Sequence, residues 1–176
     1  MEVFVGLLVV AAIVFYLVSR KKKKSTVVKV DAKVEKTKPE NAENIIVAGI
    51  KYRLEDVKTL GHLNANYNLS EAEIKKSFPN EAIYELVFPE YPARFEFEPD
   101  NEYDPNAIAI YANDVKIGYV KKGSTAHIKN LINNGAIEKL TCKIYGGSYK
   151  LYSSDIEDFE DVKAEPSAKV TIYKKK

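Results

Sequence analysis

The 176-residue chain opens on an apolar run and then breaks into short segments of changing period. Val3 to Val18 holds sixteen residues without a charge. With Met1, Glu2 and Ser19 at its edges, the run reaches the short end of the roughly 17–25 residues that cross a bilayer. It has no polar face, so the pattern predicts a spanning helix rather than one lying on a membrane surface. Residues 25–44 then mix Lys, Glu, Val, Thr, Asn and Pro without an aromatic, a composition that buries little surface and predicts a linker. A flexible linker of this length reaches about 25 Å.

From Asn44 the periods shorten. IIVAGIKY, up to Tyr52, reads as a strand, and Leu54 to Leu60 as a short helix stopped by Gly61. Ser70-x-x-Glu73 is a capping box that opens a helix through Ser77, with Phe78-Pro79 ending it. Tyr67, Leu69, Ile74 and Phe78 read as a small satellite core beside it. Ile83 to Phe88 and Ala93 to Glu98 are strand-like and joined by a turn, PEYP, at 89–92. In the second of these, Phe95 and Phe97 fall on one face and Arg94, Glu96 and Glu98 on the other, predicting one buried and one wet face.

Residues 98–123 carry the densest pattern. Pro99, Asp100, Asn101, Asp104, Pro105 and Asn106 all favour turns, so no strand runs through them. Ala107 to Ala112 (AIAIYA) and Val115 to Val120 (VKIGYV) flank Asn113-Asp114, a two-residue hairpin signal. Ser124 or Thr125 then caps a helix to Asn133 with Ile128, Leu131 and Ile132 on one face. Glu138 to Tyr145 and Ser148 to Tyr152 read as a last hairpin across Gly146-Gly147. The tail from Ser153 is acidic and then basic, which predicts a solvated segment, with VTIY at 170–173 available as an edge strand. The expected fold is α+β, mainly β: a small mixed sheet or partly open barrel with one or more packed helices, preceded by a single transmembrane helix. Its divisions are 1–24 anchor and basic flank, 25–44 linker, 45–152 domain and 153–176 charged tail.

Charge orients the anchor. Arg20 to Lys24 place five cations directly after the apolar run and only Glu2 precedes it, so the N-terminus is expected outside and the bulk of the chain in the cytoplasm. A signal peptide places its charge and cleavage site in the opposite order. Without those five cations and Glu2, 22 basic residues face 24 acidic ones, a net of −2, so no broad basic surface is implied. One Cys excludes a disulfide framework. His62, His127 and Cys142 lack metal-ligand spacing, and no phosphate loop, nucleophile elbow or His-Glu-x-x-His pattern occurs. The acidic set Glu96, Glu98, Asp100 and Asp104 is better explained by turn stabilisation and solvation than by a hard cation, which needs converging oxygens. Neither enzyme, cofactor nor bound metal is expected.

Glu98-Pro99, Asn101, Tyr103-Asp104, Asn106-Ala107-Ile108, Gly118-Tyr119 and Lys121-Lys122, followed by a helix-like stretch, resemble the HIRAN domain in their order. IVAGIKY at 46–52 looks like that family's first strand. The resemblance covers roughly residues 45–150, and the long helical region between Tyr52 and Phe95 departs from it. It implies a β-rich module that holds single-stranded or 3′-ended DNA without catalysis, since HIRAN-bearing helicases take their ATPase from other domains. By this resemblance Tyr103 matches the stacking tyrosine and Asp104 the aspartate on the terminal hydroxyl. Tyr52 matches a second ring-bearing position, Lys51 stands where arginine is preferred, and Lys121 and Lys122 match the basic pair for phosphates. Tyr119 stands where helicase-type members carry a different polar ring. Structural roles stay open for two of these: Asp104 before Pro105 as a turn device, and Tyr103 as a half-buried ring. The expected partners are therefore nucleic acid and, through Val3 to Val18, the lipid bilayer. The alternative is a module that holds a protein partner at the cytoplasmic membrane face.

Overall fold

The structure, a computed structural model, describes residues 41–176. The apolar run, its basic flank and most of the expected linker lie outside the described residues. Among the described residues no helix is long and apolar enough to cross a membrane.

In chain order the first half comprises β1 (Ala42–Ile46), α1 (Leu54–Lys58), β2 (His62–Leu63), α2 (Glu71–Ser77), β3 (Ile83–Tyr84), β4 (Leu86–Val87) and β5 (Glu90–Glu98). The second comprises β6 (Ala107–Ala112), β7 (Val115–Tyr119), α3 (Lys122–Asn133), β8 (Ile137–Gly146), β9 (Tyr149–Ser153), β10 (Asp158–Val162) and β11 (Pro166–Lys174). Six strands form the main sheet in the order β1-β11-β8-β5-β6-β7, with β10-β9-β3 and β2-β4 as smaller sheets. Every ladder between these strands is antiparallel. The expected mixed sheet is thus an antiparallel one; its edge strands β1 and β7 share no ladder and no closed barrel forms, but one isolated bridge, Ala48 to Tyr119, joins the chain after β1 to β7.

Period-two burial explains the main sheet. Ile108 and Ile110 of β6, Cys142 and Ile144 of β8, and Ala168, Val170 and Ile172 of β11 all turn inward. Ile128 of α3 and Val57 of α1 are buried in the same core. Burial, with the Glu90 charge adding to it, pushes the Cys142 thiol up to about 12, so this cysteine is an inert core residue. The satellite core is present: Ile74 and Ile83 pack with Tyr152 against Tyr67, Leu69 and Phe78. So is the capping box, with Ser70 N donating to Glu73 Oε2 at 2.8 Å and Glu73 N donating to Ser70 Oγ at 3.4 Å. Asn113 and Asp114, at φ 46° and 66°, make the two-residue turn between β6 and β7.

Several expectations fail for identifiable reasons. The strand expected over 44–52 starts at Ala42 and stops at Ile46. Gly49, at φ 76°, turns the chain into a 3-10 helix over Ile50–Arg53, so Lys51 and Tyr52 lie on a helical turn. PEYP is no turn but the start of β5. Glu90 to Pro92 pair with β8 and Ala93 to Glu98 with β6, so Pro92 sits at the handover between neighbours, where a missing N–H costs the ladder least. Glu98 is not on a wet face, because it bonds Lys116 of β7, one strand beyond its neighbour β6, while Phe97 is 41% exposed. α3 starts at Lys122 with Lys121 as its N-cap, earlier than the expected Ser124 or Thr125. The two strands flanking Gly146-Gly147 do not pair: these glycines, at φ 77° and 96°, redirect the chain from the main sheet into the smaller one. The expected solvated tail instead forms β10 and β11, and β11 lies between β1 and β8, inside the main sheet.

Candidate functional site

The bend between β5 and β6 is held by one amide. Asn101 Oδ1 accepts from Tyr103 N at 3.0 Å and from Asp104 N at 3.1 Å. Its Nδ2 donates to Glu98 Oε2 at 3.0 Å and to Tyr119 Oη at 3.2 Å. Asp104 Oδ1 then accepts from Asn106 N at 2.9 Å, a side-chain-closed turn before Pro105. Held at its backbone, Tyr103 projects outward with 95% of its surface exposed. The half-buried reading of this ring is overturned; the turn-device reading of Asp104 holds for one of its two oxygens.

A close backbone contact brings in the opposite wall. Ala48 and Tyr119 exchange N–H···O bonds of 2.8 and 2.9 Å. Gly118 between them, at φ 152°, makes this possible, because a Cβ there would lie 2.4 Å from the Ala48 carbonyl oxygen. The 3-10 turn that follows therefore sits against Tyr119, and a Cβ on Gly49 would be 3.9 Å from both the Tyr52 and Tyr119 rings.

Between these walls opens a pocket of about 730 Å³. Its lining includes the rings of Tyr52, Tyr103 and Tyr119, the polar groups of Asn101 and Asp104, and the cations Arg53 and Lys122. Tyr52 is 78% exposed. Behind the lining, Glu98 receives hydrogen bonds from Lys116 Nζ, Asn101 Nδ2 and Tyr119 Oη. Burial opposes ionisation of Glu98, but these three donors outweigh it and hold the carboxyl below its ordinary range. Burial likewise disfavours the Lys116 ammonium, and its bonds to Glu98 and Tyr119 reverse that and raise its pKa. The charge pair neutralises itself, which leaves Lys122, Asp104 and Arg53, the last 3.7 Å from Asp56, as the ionic groups of the lining.

Of the residues the sequence nominated, Tyr52, Tyr103, Asp104, Tyr119 and Lys122 are brought together. Lys51 and Lys121 are not. Lys51 Nζ lies 4.9 Å from the Tyr52 ring centre, outside the lining. Lys121 is the exposed N-cap of α3, whose carbonyl accepts from Ser124 N at 2.8 Å. Arg53 was missed because the expected strand ends at Tyr52; the 3-10 turn over Ile50–Arg53 advances about 120° per residue and places Arg53 in the lining while Lys51 falls outside it. Asn101 was visible only as one letter of a motif; its distance from Tyr119 in sequence concealed its part in the pocket. Among the described residues no group of three or more His, Cys, Asp or Glu is placed to hold a metal ion.

The pocket's bend, its following hairpin and the start of α3 fall inside one recognisable unit. Residues 84–158 match the family model of the HIRAN domain. The matched segment supplies Asn101, Tyr103, Asp104, Tyr119 and Lys122, while Gly49, Tyr52 and Arg53 come from residues before it. A crystal structure of the HIRAN domain of human HLTF aligns with 77% of this chain and 78% of that one, at 15% identity and a TM-score of 0.34. No curated protein matches the chain.

Proposed function

We propose that the HIRAN segment and the turn before it bind the end of a single DNA strand, without catalysis, in the pocket of three tyrosines. The observation that carries this reading is Tyr103: a ring 95% exposed on a bonded backbone, facing a pocket that also holds Tyr52, Tyr119, Asp104 and Lys122. An exposed ring on a rigid turn adds nothing to a core and is suited to stack on a base, an interaction of about 1–3 kcal/mol. Arg53 and Lys122 meet phosphates, and the free oxygen of Asp104 accepts from a terminal hydroxyl while repelling a phosphate in the same place.

Titration of the protein with single strands ending in a 3′-hydroxyl or a 3′-phosphate tests this. The hydroxyl end is expected to bind more tightly, Tyr103→Ala to lose about 1–3 kcal/mol, and Asp104→Ala to abolish the preference between ends. Absent binding, or binding that survives both substitutions and ignores the phosphate, overturns the reading.

For residues 1–24, we infer a tether: the uncharged run and its five following cations hold the domain at the cytoplasmic membrane face. The protein is then expected to stay with membranes through alkaline extraction, and its release into the soluble fraction sinks the inference.

A further inference from the structure

A second concavity, of about 260 Å³, adjoins the first and shares Asp104, Lys122 and Thr125 with it. It continues over the exposed face of α3 past Asn106 and Ala126 to Lys129. Lys122, Ala126 and Lys129 follow a helical i, i+4, i+7 stripe, so the two lysines stand on one side of the helix. Seven residues of helix separate them by about 10.5 Å along the axis. At the roughly 3.4 Å rise of a stacked strand, that distance spans about three phosphates. Neither ammonium is ion-paired among the described residues. Beside Lys129 lies the ring of Phe97, with Lys129 Nζ 6.0 Å from its centre and the ring 41% exposed. A ring with a free cation thus recurs outside the pocket. Its place on the sheet is unusual, since the strand pattern puts Phe97 on the face with Phe95, which packs half-buried against the core.

We propose that α3 carries an extension of the binding site, in which Lys129 holds a phosphate of the same strand outside the tyrosine pocket, so that the footprint runs from the pocket along the Lys122–Lys129 stripe. The proposal rests on the reading of the pocket as a single-strand site. It makes affinity depend on length: a dinucleotide fills the pocket alone, and a hexanucleotide also reaches Lys129.

Binding of a dinucleotide and of a hexanucleotide, each with a 3′-hydroxyl, is to be measured for the wild type, Lys129→Ala, Lys129→Arg and Lys76→Ala. Lys76 is an exposed lysine of α2, outside both concavities, and controls for loss of one charge. The wild type is expected to gain several-fold from the longer strand. Lys129→Ala should lose that gain with dinucleotide affinity unchanged, and its salt slope for the hexanucleotide should fall by about 0.7. Lys129→Arg should restore the gain and Lys76→Ala should keep it. A Lys129→Ala protein that matches the wild type at both lengths, or a Lys76→Ala protein that loses as much, overturns the extension and leaves the pocket reading standing. A wild type that binds neither strand overturns both.

Discussion

Asn101 decides how the pocket is built, and Glu98 decides when it holds. One side-chain amide closes the bend on Tyr103 and Asp104 and ties it to Glu98 and Tyr119. Tyr103 itself touches little, so its removal is expected to leave thermal stability within about 0.5 kcal/mol of wild type, separating loss of binding from loss of fold. Glu98 behaves differently. Its folded-state pKa is depressed against burial by Lys116, Asn101 and Tyr119, so an unfolded chain binds this proton more readily than the folded one. Its stabilisation is complete above the ordinary carboxyl value of 4.5 and is lost as pH falls through the lower folded value. Denaturation followed from pH 7 to pH 3 should therefore show the wild type losing stability below about pH 4.5 that Glu98→Gln never had. Parallel curves for the two proteins show that the Glu98 charge contributes nothing to folding.

At the scale of elements, what the sequence made legible was local. The Asn113-Asp114 turn, the capping box at Ser70 and the satellite core are each specified by residues within a few positions of one another. What it concealed depended on distant partners. Pro92 reads as a turn until β8 and β6 are known to take opposite halves of β5. Gly146-Gly147 reads as a hairpin until its two strands are seen in different sheets. The final segment shows how composition misleads. Lys169 and the closing lysines suggest solvent, yet Ala168, Val170 and Ile172 alternate with Lys169, Thr171 and Tyr173 at period two and are fully buried. Their strand bonds β1 on one side and β8 on the other, so it is a structural centre rather than an appendage. Ile172→Ala should cost about 2–5 kcal/mol in chemical denaturation, as for a buried core residue. A cost under about 0.5 kcal/mol, the range for exposed positions, shows that β11 is not needed by the fold.

For the whole molecule, the decisive quantity is how little of the charge is available to a polyanion. Beyond residue 24 the chain is net negative by two, and several cations are committed: Lys116 to Glu98, Arg94 to Glu96, Lys174 to Glu43 and Lys163 to Asp161, while Arg53 has only a looser contact of 3.7 Å with Asp56. The pocket residues that the sequence could reveal were Tyr52 and those in the continuous stretch 101–122. Those it could not assign, Arg53 above all, arrive through the backbone contact at Gly118, which joins segments about seventy residues apart. On the proposed reading, a site assembled this way attracts DNA locally, not through a broad basic field, and its salt dependence should say so. Arg53, Lys122 and Lys129 are three cations, and for a single strand three neutralised phosphates give a slope of log K against log salt of about −2. A basic face of eight or more contacts would give about −6. Titrating a hexanucleotide across 50 to 300 mM salt distinguishes the two. The shallow slope is expected, with Arg53→Ala lowering its magnitude by about 0.7 and Lys51→Ala leaving it unchanged, because only the former faces the pocket. A steep slope, or one that Lys51→Ala lowers as much as Arg53→Ala does, means that the strand runs elsewhere on the surface and that the three rings are not its seat.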